Sequence, residues 1–162
     1  MTRRDLLPTI ELVSHIPCKE HPIGRYVRDK KLIELSSKEL RKYDHVSREF
    51  AIYHEIGHWL RLDYVPVSDP TFQILYGTKG SQDEMDEYFA DDFARYILSF
   101  SFGEPNLPCK DEKQRMLFFD DIFAYRTPDL YLHEIRLAVD AILERLEGVF
   151  NERSSSRKKR RG

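Results

Sequence analysis

The chain has 162 residues, the usual length of one compact domain, and 41% of them are hydrophobic, enough to form one core. Charged residues make up 33% with both signs interspersed, and no run of about 18 apolar residues occurs, which excludes an apolar membrane-spanning helix. Two cysteines are too few for a disulfide framework. Because no apolar leader follows Met1, we expect a cytoplasmic protein without membrane contact.

Charge is distributed unevenly along the chain. Residues 151–162 carry six basic side chains and one acidic side chain, which leaves 20 basic and 27 acidic side chains on residues 1–150. The segment 151–162 has no apolar anchor, so we predict a disordered basic tail after a single domain over residues 1–150. Such a tail can make weak contacts with nucleic acid through counterion release, and a solvated tail without a partner is the simpler interpretation.

The N-terminal part of the chain is predicted to contain a short helix or loop followed by two short strands. Residues 1–22 contain prolines and mixed polarity, which predicts a short helix or a loop. Residues 24–28 and 31–35 are rich in β-branched and aromatic side chains and flank Asp29-Lys30. This pattern predicts two strands joined by a turn, which form a small antiparallel sheet.

Four helices are predicted after the strands, over residues 47–62, 81–100, 111–125 and 127–150. The first is apolar on more than one face, as expected of a helix packed on several sides. The second begins with Ser81 and Glu84 as a capping box, and the fourth begins with Thr127 as N-cap and Pro128 in the first turn. Gly103, with the prolines after it, is expected to end the second. We therefore predict an α+β fold, with a small antiparallel β-sheet packed beside a mainly helical bundle.

The helix predicted over 47–62 contains the pattern His54-Glu55-x-x-His58. Residues four apart lie one turn apart on the same face, so both imidazoles can reach one ion. Zinc binds imidazole nitrogen readily, and a catalytic zinc site has three protein ligands plus a water. Glu55 can take a proton from that water as general base. The alternative is a pair of hydrogen-bonded core histidines.

Two other groups of candidate ligands are weaker. A second His-Glu pair starts at His133, but Leu137 stands where the second histidine would be, so this pair supplies no ligand set. His15, Cys18 and His21 are spaced by three, but prolines interrupt the segment and no fourth ligand lies nearby. A plain loop is the favoured interpretation of that segment.

A third ligand for the two histidines has to come from another element. Arg61 and Tyr64 stand where a metzincin would have glycine and histidine, which excludes that class. The helix predicted over 81–100 offers six acids, which are Asp83, Glu84, Asp86, Glu87, Asp91 and Asp92.

Helical phase separates these acids. The apolar stripe that marks the buried face consists of Met85, Phe89 and Phe93. A second line at helical spacing contains Glu87, Ala90 and Asp91, and its small residues would let it approach Gly57 closely. Acids on such a face need a partner, so we predict Glu87 as the third metal ligand, with Glu84 as the next candidate. Asp91 would accept a hydrogen bond from the free ring nitrogen of a ligating histidine. The alternative for this helix is an exposed acidic face that favours its N-terminus.

The segments 48–58 (Arg-Glu-Phe-Ala-Ile-Tyr-His-Glu-Ile-Gly-His) and 87–94 (Glu-Tyr-Phe-Ala-Asp-Asp-Phe-Ala) resemble the ImmA/IrrE family of metallopeptidases, a gluzincin family. With the predicted strands, the resemblance covers residues 23–100. It departs at 96–100, where the family has a Leu-Met-Pro-like segment.

The resemblance implies a zincin-like core, with zinc held by His54, His58 and Glu87 and with Glu55 as the catalytic base. It also implies cleavage of a regulatory protein, such as a transcriptional repressor. We expect an endopeptidase that captures an extended peptide at the edge of the sheet. A further group should stabilise the oxyanion, and the candidates are Tyr64, Tyr125, Tyr131 and His133.

Two alternative functions remain at this point. One is a catalytically inactive, metal-stabilised module that binds a regulatory protein. The other is a nucleic-acid-associated regulator that uses the basic tail. An intact Glu55 favours the enzyme, because a purely structural metal site does not need this acid.

Overall fold

The computed structural model describes residues 7–77, 81–100 and 111–161, with side chains through residue 152. These residues form an α+β fold of three strands and six α-helices. The strands are β1 (Thr9–Val13), β2 (Gly24–Val27) and β3 (Leu32–Ser36). The helices are α1 (Ser37–Leu40), α2 (His45–Tyr64), α3 (Pro70–Tyr76), α4 (Gln82–Leu98), α5 (Glu112–Asp121) and α6 (Leu132–Arg161). A 3₁₀ turn over Arg28–Lys30 joins β2 to β3, and a π turn over Ile122–Arg126 follows α5.

The sheet has the strand order β1-β3-β2 and is mixed. β2 and β3 pair antiparallel, with Gly24 opposite Leu35, which confirms the predicted strand pair. β1 pairs with β3 in parallel, with Thr9 opposite Leu32, so the prediction of a purely antiparallel sheet is wrong. The prediction of a helix or loop over residues 1–22 missed β1. Its partner β3 is distant in sequence, and a parallel pair has no hairpin turn that would indicate the pairing.

The core lies between the sheet and the helices. Ile33 and Leu35 of β3 are fully buried, and α2 packs against both β2 and β3. α2 also packs along α4, where Gly57 of α2 lies against Ala90 and Phe93 of α4. This arrangement explains why α2 is apolar on more than one face, and it brings the acids of α4 to the histidines of α2.

A buried polar cluster fastens α4 to its neighbours. Asp92 on α4 is fully buried, and its Oδ2 accepts hydrogen bonds from the Tyr76 hydroxyl at 2.8 Å and from Nη1 of Arg115 at 2.6 Å. Tyr76 ends α3 and Arg115 belongs to α5, so one carboxylate ties three helices together. Charge-assisted hydrogen bonds of this kind offset the cost of burying a charged group.

Side-chain hydrogen bonds to backbone amides cap the N-termini of α2 and α4. The Asp44 carboxylate accepts a hydrogen bond from the Ser47 amide at 2.8 Å and starts α2. The Ser81 hydroxyl accepts from the Glu84 amide at 3.4 Å, which confirms the predicted start of α4. α4 ends at Leu98, and the glycine and prolines predicted to end it lie in the segment 101–110, outside the described residues.

The last two helix boundaries differ from the prediction. α6 starts at Leu132 rather than at Thr127, because the Thr127 hydroxyl donates to the Ile122 carbonyl at 3.4 Å and so closes the preceding π turn. The helix also runs to Arg161, beyond the end predicted near Phe150. Lysine and arginine favour helices, and no proline stands in this stretch to stop one. Among the described residues, no helix combines the length and the apolar character needed to cross a membrane.

Candidate metal centre

α2 presents two imidazoles on one face. His54 and His58 are four residues apart, and their ring centroids lie 4.6 Å apart in an edge-to-face arrangement. Their Nε2 atoms are separated by 3.0 Å. Both side chains are largely buried, with 16% and 19% of their surface exposed. The helical spacing therefore aims both ring nitrogens at one point.

α4 adds a carboxylate at the same point. Glu87 Oε2 lies 3.1 Å from His54 Nε2, and Glu87 Oε1 lies 3.1 Å from His58 Nε2. These three side chains form a group that could hold a metal ion. Glu84, the other candidate, is exposed in the first turn of α4 and is not part of the group.

The spacing and chemistry of these donors fit a divalent cation. Ligand atoms about 2.0–2.1 Å from one tetrahedral zinc lie about 3.3 Å from one another, close to the 3.0–3.1 Å observed here. In the metal-free cluster, two nitrogen lone pairs at this separation would repel unless a proton lay between them. Burial disfavours a charged imidazole, but hydrogen bonds to Asp91 and Glu87 outweigh it and raise the pKa of His54 to about 10. Hydrogen bonds from His54 and His58 hold the pKa of Glu87 well below its usual range.

Asp91 holds one of the two imidazoles. Its Oδ1 lies 2.7 Å from Nδ1 of His54, one turn of α4 after Glu87. A hydrogen bond from Nδ1 to this carboxylate leaves the Nε2 lone pair directed at the centre, and it fixes the ring orientation. This is the contact predicted for Asp91 from its helical phase.

Glu55 lies beside the centre in a confined space. Its side chain is buried, and it packs against the backbone of Gly24 at the start of β2. A Cβ atom at position 24 would lie 2.8 Å from Cγ and 2.9 Å from Cδ of Glu55. Burial raises the pKa of Glu55, although the imidazoles of His54 and His58 oppose the rise. A raised pKa brings a carboxylate closer to the range in which it can both accept and return a proton.

Two glycines thus make the centre compact, and only one was singled out from the sequence. Gly57 lies against α4, where an added Cβ would be 2.9 Å from Cα and 3.1 Å from the carbonyl oxygen of Ala90. This confirms the close approach predicted from Gly57 and Ala90. Gly24 was missed, because its partner Glu55 is remote in sequence and no local turn requires glycine there.

Two cavities border the centre. The first, here called the apolar cavity, has a volume of about 520 Å³, and half of its lining residues are apolar or aromatic, among them Ile23, Tyr43, Val46, Phe50 and Phe100. The strand cavity has a volume of about 290 Å³ and lies along β2, where Gly24, Arg25 and Tyr26 line it together with Asp83 and Asp86. Glu55 and Glu87 line both cavities.

The side chains predicted to stabilise an oxyanion lie elsewhere. Tyr64, Tyr125, Tyr131 and His133 line neither of these two cavities. Tyr125 is 81% exposed, and Tyr131 stacks on the exposed His133 at a centroid distance of 6.0 Å. His21 lies in a loop, as predicted for its segment, and from there it lines both cavities.

No protein-family model, no curated protein and no solved structure matches this chain.

Proposed function

We propose that the protein is a zinc-dependent endopeptidase with a zincin-like core, of the kind that the ImmA/IrrE resemblance implies. The observation that carries the proposal is the convergence of His54, His58 and Glu87 within 3.0–3.1 Å, with the buried carboxylate of Glu55 beside them. Two imidazoles and one carboxylate are a ligand set typical of catalytic zinc, because three protein ligands leave a coordination position for the reaction.

The metal and Glu55 have separate tasks in this proposal. A zinc ion held by the three ligands would supply the positive charge that polarises a carbonyl group and lowers the pKa of water. Glu55 accepts a proton from the attacking water and returns it to the departing amine nitrogen. Its burial against Gly24 confines the carboxylate, and its raised pKa makes it a stronger base toward the water proton. A catalytically inactive binding module would gain nothing from burying this acid.

An extended peptide is the substrate that suits the surroundings of the centre. β2 is an edge strand in the order β1-β3-β2, and its first residues line the strand cavity beside Glu55. A peptide segment can add to such an edge through main-chain hydrogen bonds. The apolar cavity, which Glu55 also lines, is large enough for a bulky apolar side chain next to the scissile bond. A regulatory protein such as a transcriptional repressor, with an accessible extended segment, would fit this requirement.

The test is cleavage by purified, zinc-loaded protein of a library of peptides, read by mass spectrometry. Wild type should produce discrete cuts next to large apolar residues, and Glu55→Gln should lower the cleavage rate by about 10³-fold or more while it retains zinc. Glu134→Gln is the matched control, because it changes the acid of the second His-Glu pair, which lies outside the centre. Equal cleavage by wild type and Glu55→Gln would refute the proposal, and so would a zinc-loaded wild type that cuts no peptide.

A further inference from the structure

The apolar cavity and the strand cavity share three lining residues, which mark the place where the cavities meet. These residues are His21, Glu55 and Glu87. Glu87 belongs to the metal centre and Glu55 is the proposed proton acceptor, so His21 is the shared residue that has no role so far. A peptide that occupies both cavities has to pass this junction, and its reacting carbonyl group would lie there.

The chain around His21 holds it in place. Pro22 follows it and restricts its backbone to extended conformations. The carbonyl of Ile23 accepts a hydrogen bond from the Ser36 amide at 2.7 Å, which fastens this segment to the end of β3. Ile16, earlier in the same segment, is buried in the core. His21 is therefore an exposed side chain on a segment that is anchored on both sides of it.

His21 is also close enough to Glu55 to influence it electrostatically. Burial raises the pKa of Glu55, and a positive charge on His21 is among the influences that oppose this rise. Imidazole carries N–H donors in both its neutral and its charged forms, so it can donate to an oxygen in either state.

Two other donors that line the strand cavity, Arg25 and Tyr26, are engaged with carboxylates. Arg25 pairs with Glu34, with its Nε 3.1 Å from Oε1. The Tyr26 hydroxyl donates to Asp63 at 2.8 Å. Tyr43 and Ser47 carry hydroxyl groups, but they line only the apolar cavity and therefore lie away from the junction. Of the three described side chains that line both cavities, His21 is the one that carries an N–H donor.

We infer that His21 donates a hydrogen bond to the carbonyl oxygen of the scissile peptide and stabilises the negative charge that develops on it. This inference rests on the proposed function. The water oxygen bonds to the carbonyl carbon, the C=O electron pair moves onto the oxygen, and Glu55 accepts the water proton. The pair then re-forms C=O, the C–N bond breaks, and the nitrogen receives the proton from Glu55, giving a carboxylic acid and an amine. Because His21 meets a charge that exists only between these steps, it accelerates the reaction rather than tightening substrate binding.

The test compares two ligands of the zinc-loaded protein by calorimetry. One is a phosphonamidate dipeptide with a leucine side chain, whose tetrahedral anion imitates the reacting carbonyl group. The other is the hydroxamate of the matching dipeptide, which binds zinc without a tetrahedral anion. His21→Ala should weaken phosphonamidate binding by about 10- to 100-fold and change hydroxamate binding less than about threefold, as expected for one hydrogen bond to a charged group. His21→Gln, which keeps an N–H donor, should recover part of the loss.

His15→Ala is the matched control, because His15 is an exposed histidine of the same segment that lines neither cavity. It should bind both ligands like wild type. Unchanged phosphonamidate binding by His21→Ala would overturn the inference, and so would an equal loss for both ligands, which would indicate a structural role. If zinc-loaded wild type bound neither ligand, the proposed function itself would fail and the inference with it.

Discussion

Asp91 and Asp92 are neighbours on α4, yet they have opposite surroundings. Asp92 is fully buried, and donors from Tyr76 and Arg115 reach its Oδ2 at 2.8 Å and 2.6 Å. Asp91 borders the apolar cavity and contacts one imidazole, that of His54, at 2.7 Å. The first carboxylate is enclosed by positive charge and hydroxyl donors, whereas the second supports a cluster of electron-pair donors that opens onto two cavities.

The comparison separates stability from function on a single helix. In the Asp92 cluster, the buried carboxylate accepts hydrogen bonds from Tyr76, Arg95 and Arg115, so its negative charge is compensated within the fold. In the cluster of His54, His58 and Glu87, three possible electron-pair donors converge at one point, and a metal ion would take the place of the proton that His54 holds in its absence. Substitutions near Asp92 should therefore change the free energy of unfolding, whereas substitutions near Asp91 should change the zinc affinity.

Asp92→Ala should give the largest loss of stability. Removal of one partner from a buried ion pair costs about 3–5 kcal/mol in the free energy of unfolding, because Arg115 would be left buried with less compensation. Urea denaturation measures this loss, and the zinc affinity of the folded protein should stay unchanged. Asp83→Ala, at an exposed acid of the same helix, should cost less than about 1 kcal/mol. A loss below about 1 kcal/mol for Asp92→Ala would show that the cluster does not hold the helices together.

Gly57→Ala should affect both properties at once. The new methyl group would lie 2.9 Å from Cα of Ala90, so α2 and α4 would have to move apart, at a cost of about 1–3 kcal/mol in stability. The same separation would draw Glu87 away from the histidines and weaken zinc binding. Gly148→Ala is the matched control, since nothing lies within 4 Å of an added Cβ there, and it should gain about 0.5–1 kcal/mol. Thermal unfolding and zinc titration of both variants would be decisive, and equal behaviour would argue against a tight α2–α4 contact.

Asp91→Ala should change metal binding more than stability. Loss of a carboxylate that orients a ligating histidine lowers metal affinity by about 10- to 100-fold, because the His54 ring is no longer held with Nε2 toward the metal. Competition with a chromophoric chelator measures the affinity. A normal zinc affinity in this variant would contradict the role given to Asp91.

The parts of the site that follow from local spacing were predictable from the sequence. The pair His54 and His58 needs only the helical repeat, and Glu87 needs the phase of α4 relative to its apolar stripe. The strand pair β2–β3 was also predictable, because short sequence separation joins the two strands.

The parts that depend on distant contacts were not predictable. β1 pairs in parallel with a strand far along the chain, and Gly24 is required only because Glu55 packs on it. His21 lies at the junction of the two cavities because of the path of its loop. The path of a loop cannot be predicted from a helix or strand repeat in the sequence. The oxyanion candidates named from the sequence, such as Tyr125, were plausible by residue type but lie outside these cavities.

Zinc uptake should release protons, which is the smallest of these effects. Because the pKa of His54 is raised to about 10 without metal, this imidazole holds a proton at pH 7.5 that a ligating nitrogen cannot keep. Zinc affinity should therefore rise with pH, by up to about tenfold per unit, until the pH approaches the raised pKa of His54. Calorimetry in buffers of different ionisation enthalpy should give about one proton released per zinc. No release at pH 7.5 would contradict the protonated state of the metal-free cluster.

The most direct test of the central claim is the zinc content of the wild-type protein and of Glu87→Gln after dialysis against a weak chelator. Glu84→Gln, at the exposed acid in the first turn of α4, serves as the control. Loss of one ligand should cost about 3–4 kcal/mol of binding free energy, so wild type and Glu84→Gln should retain about one zinc per chain and Glu87→Gln almost none. Equal zinc retention in Glu87→Gln and wild type, or a wild type that retains no zinc, would contradict a metal centre built from His54, His58 and Glu87.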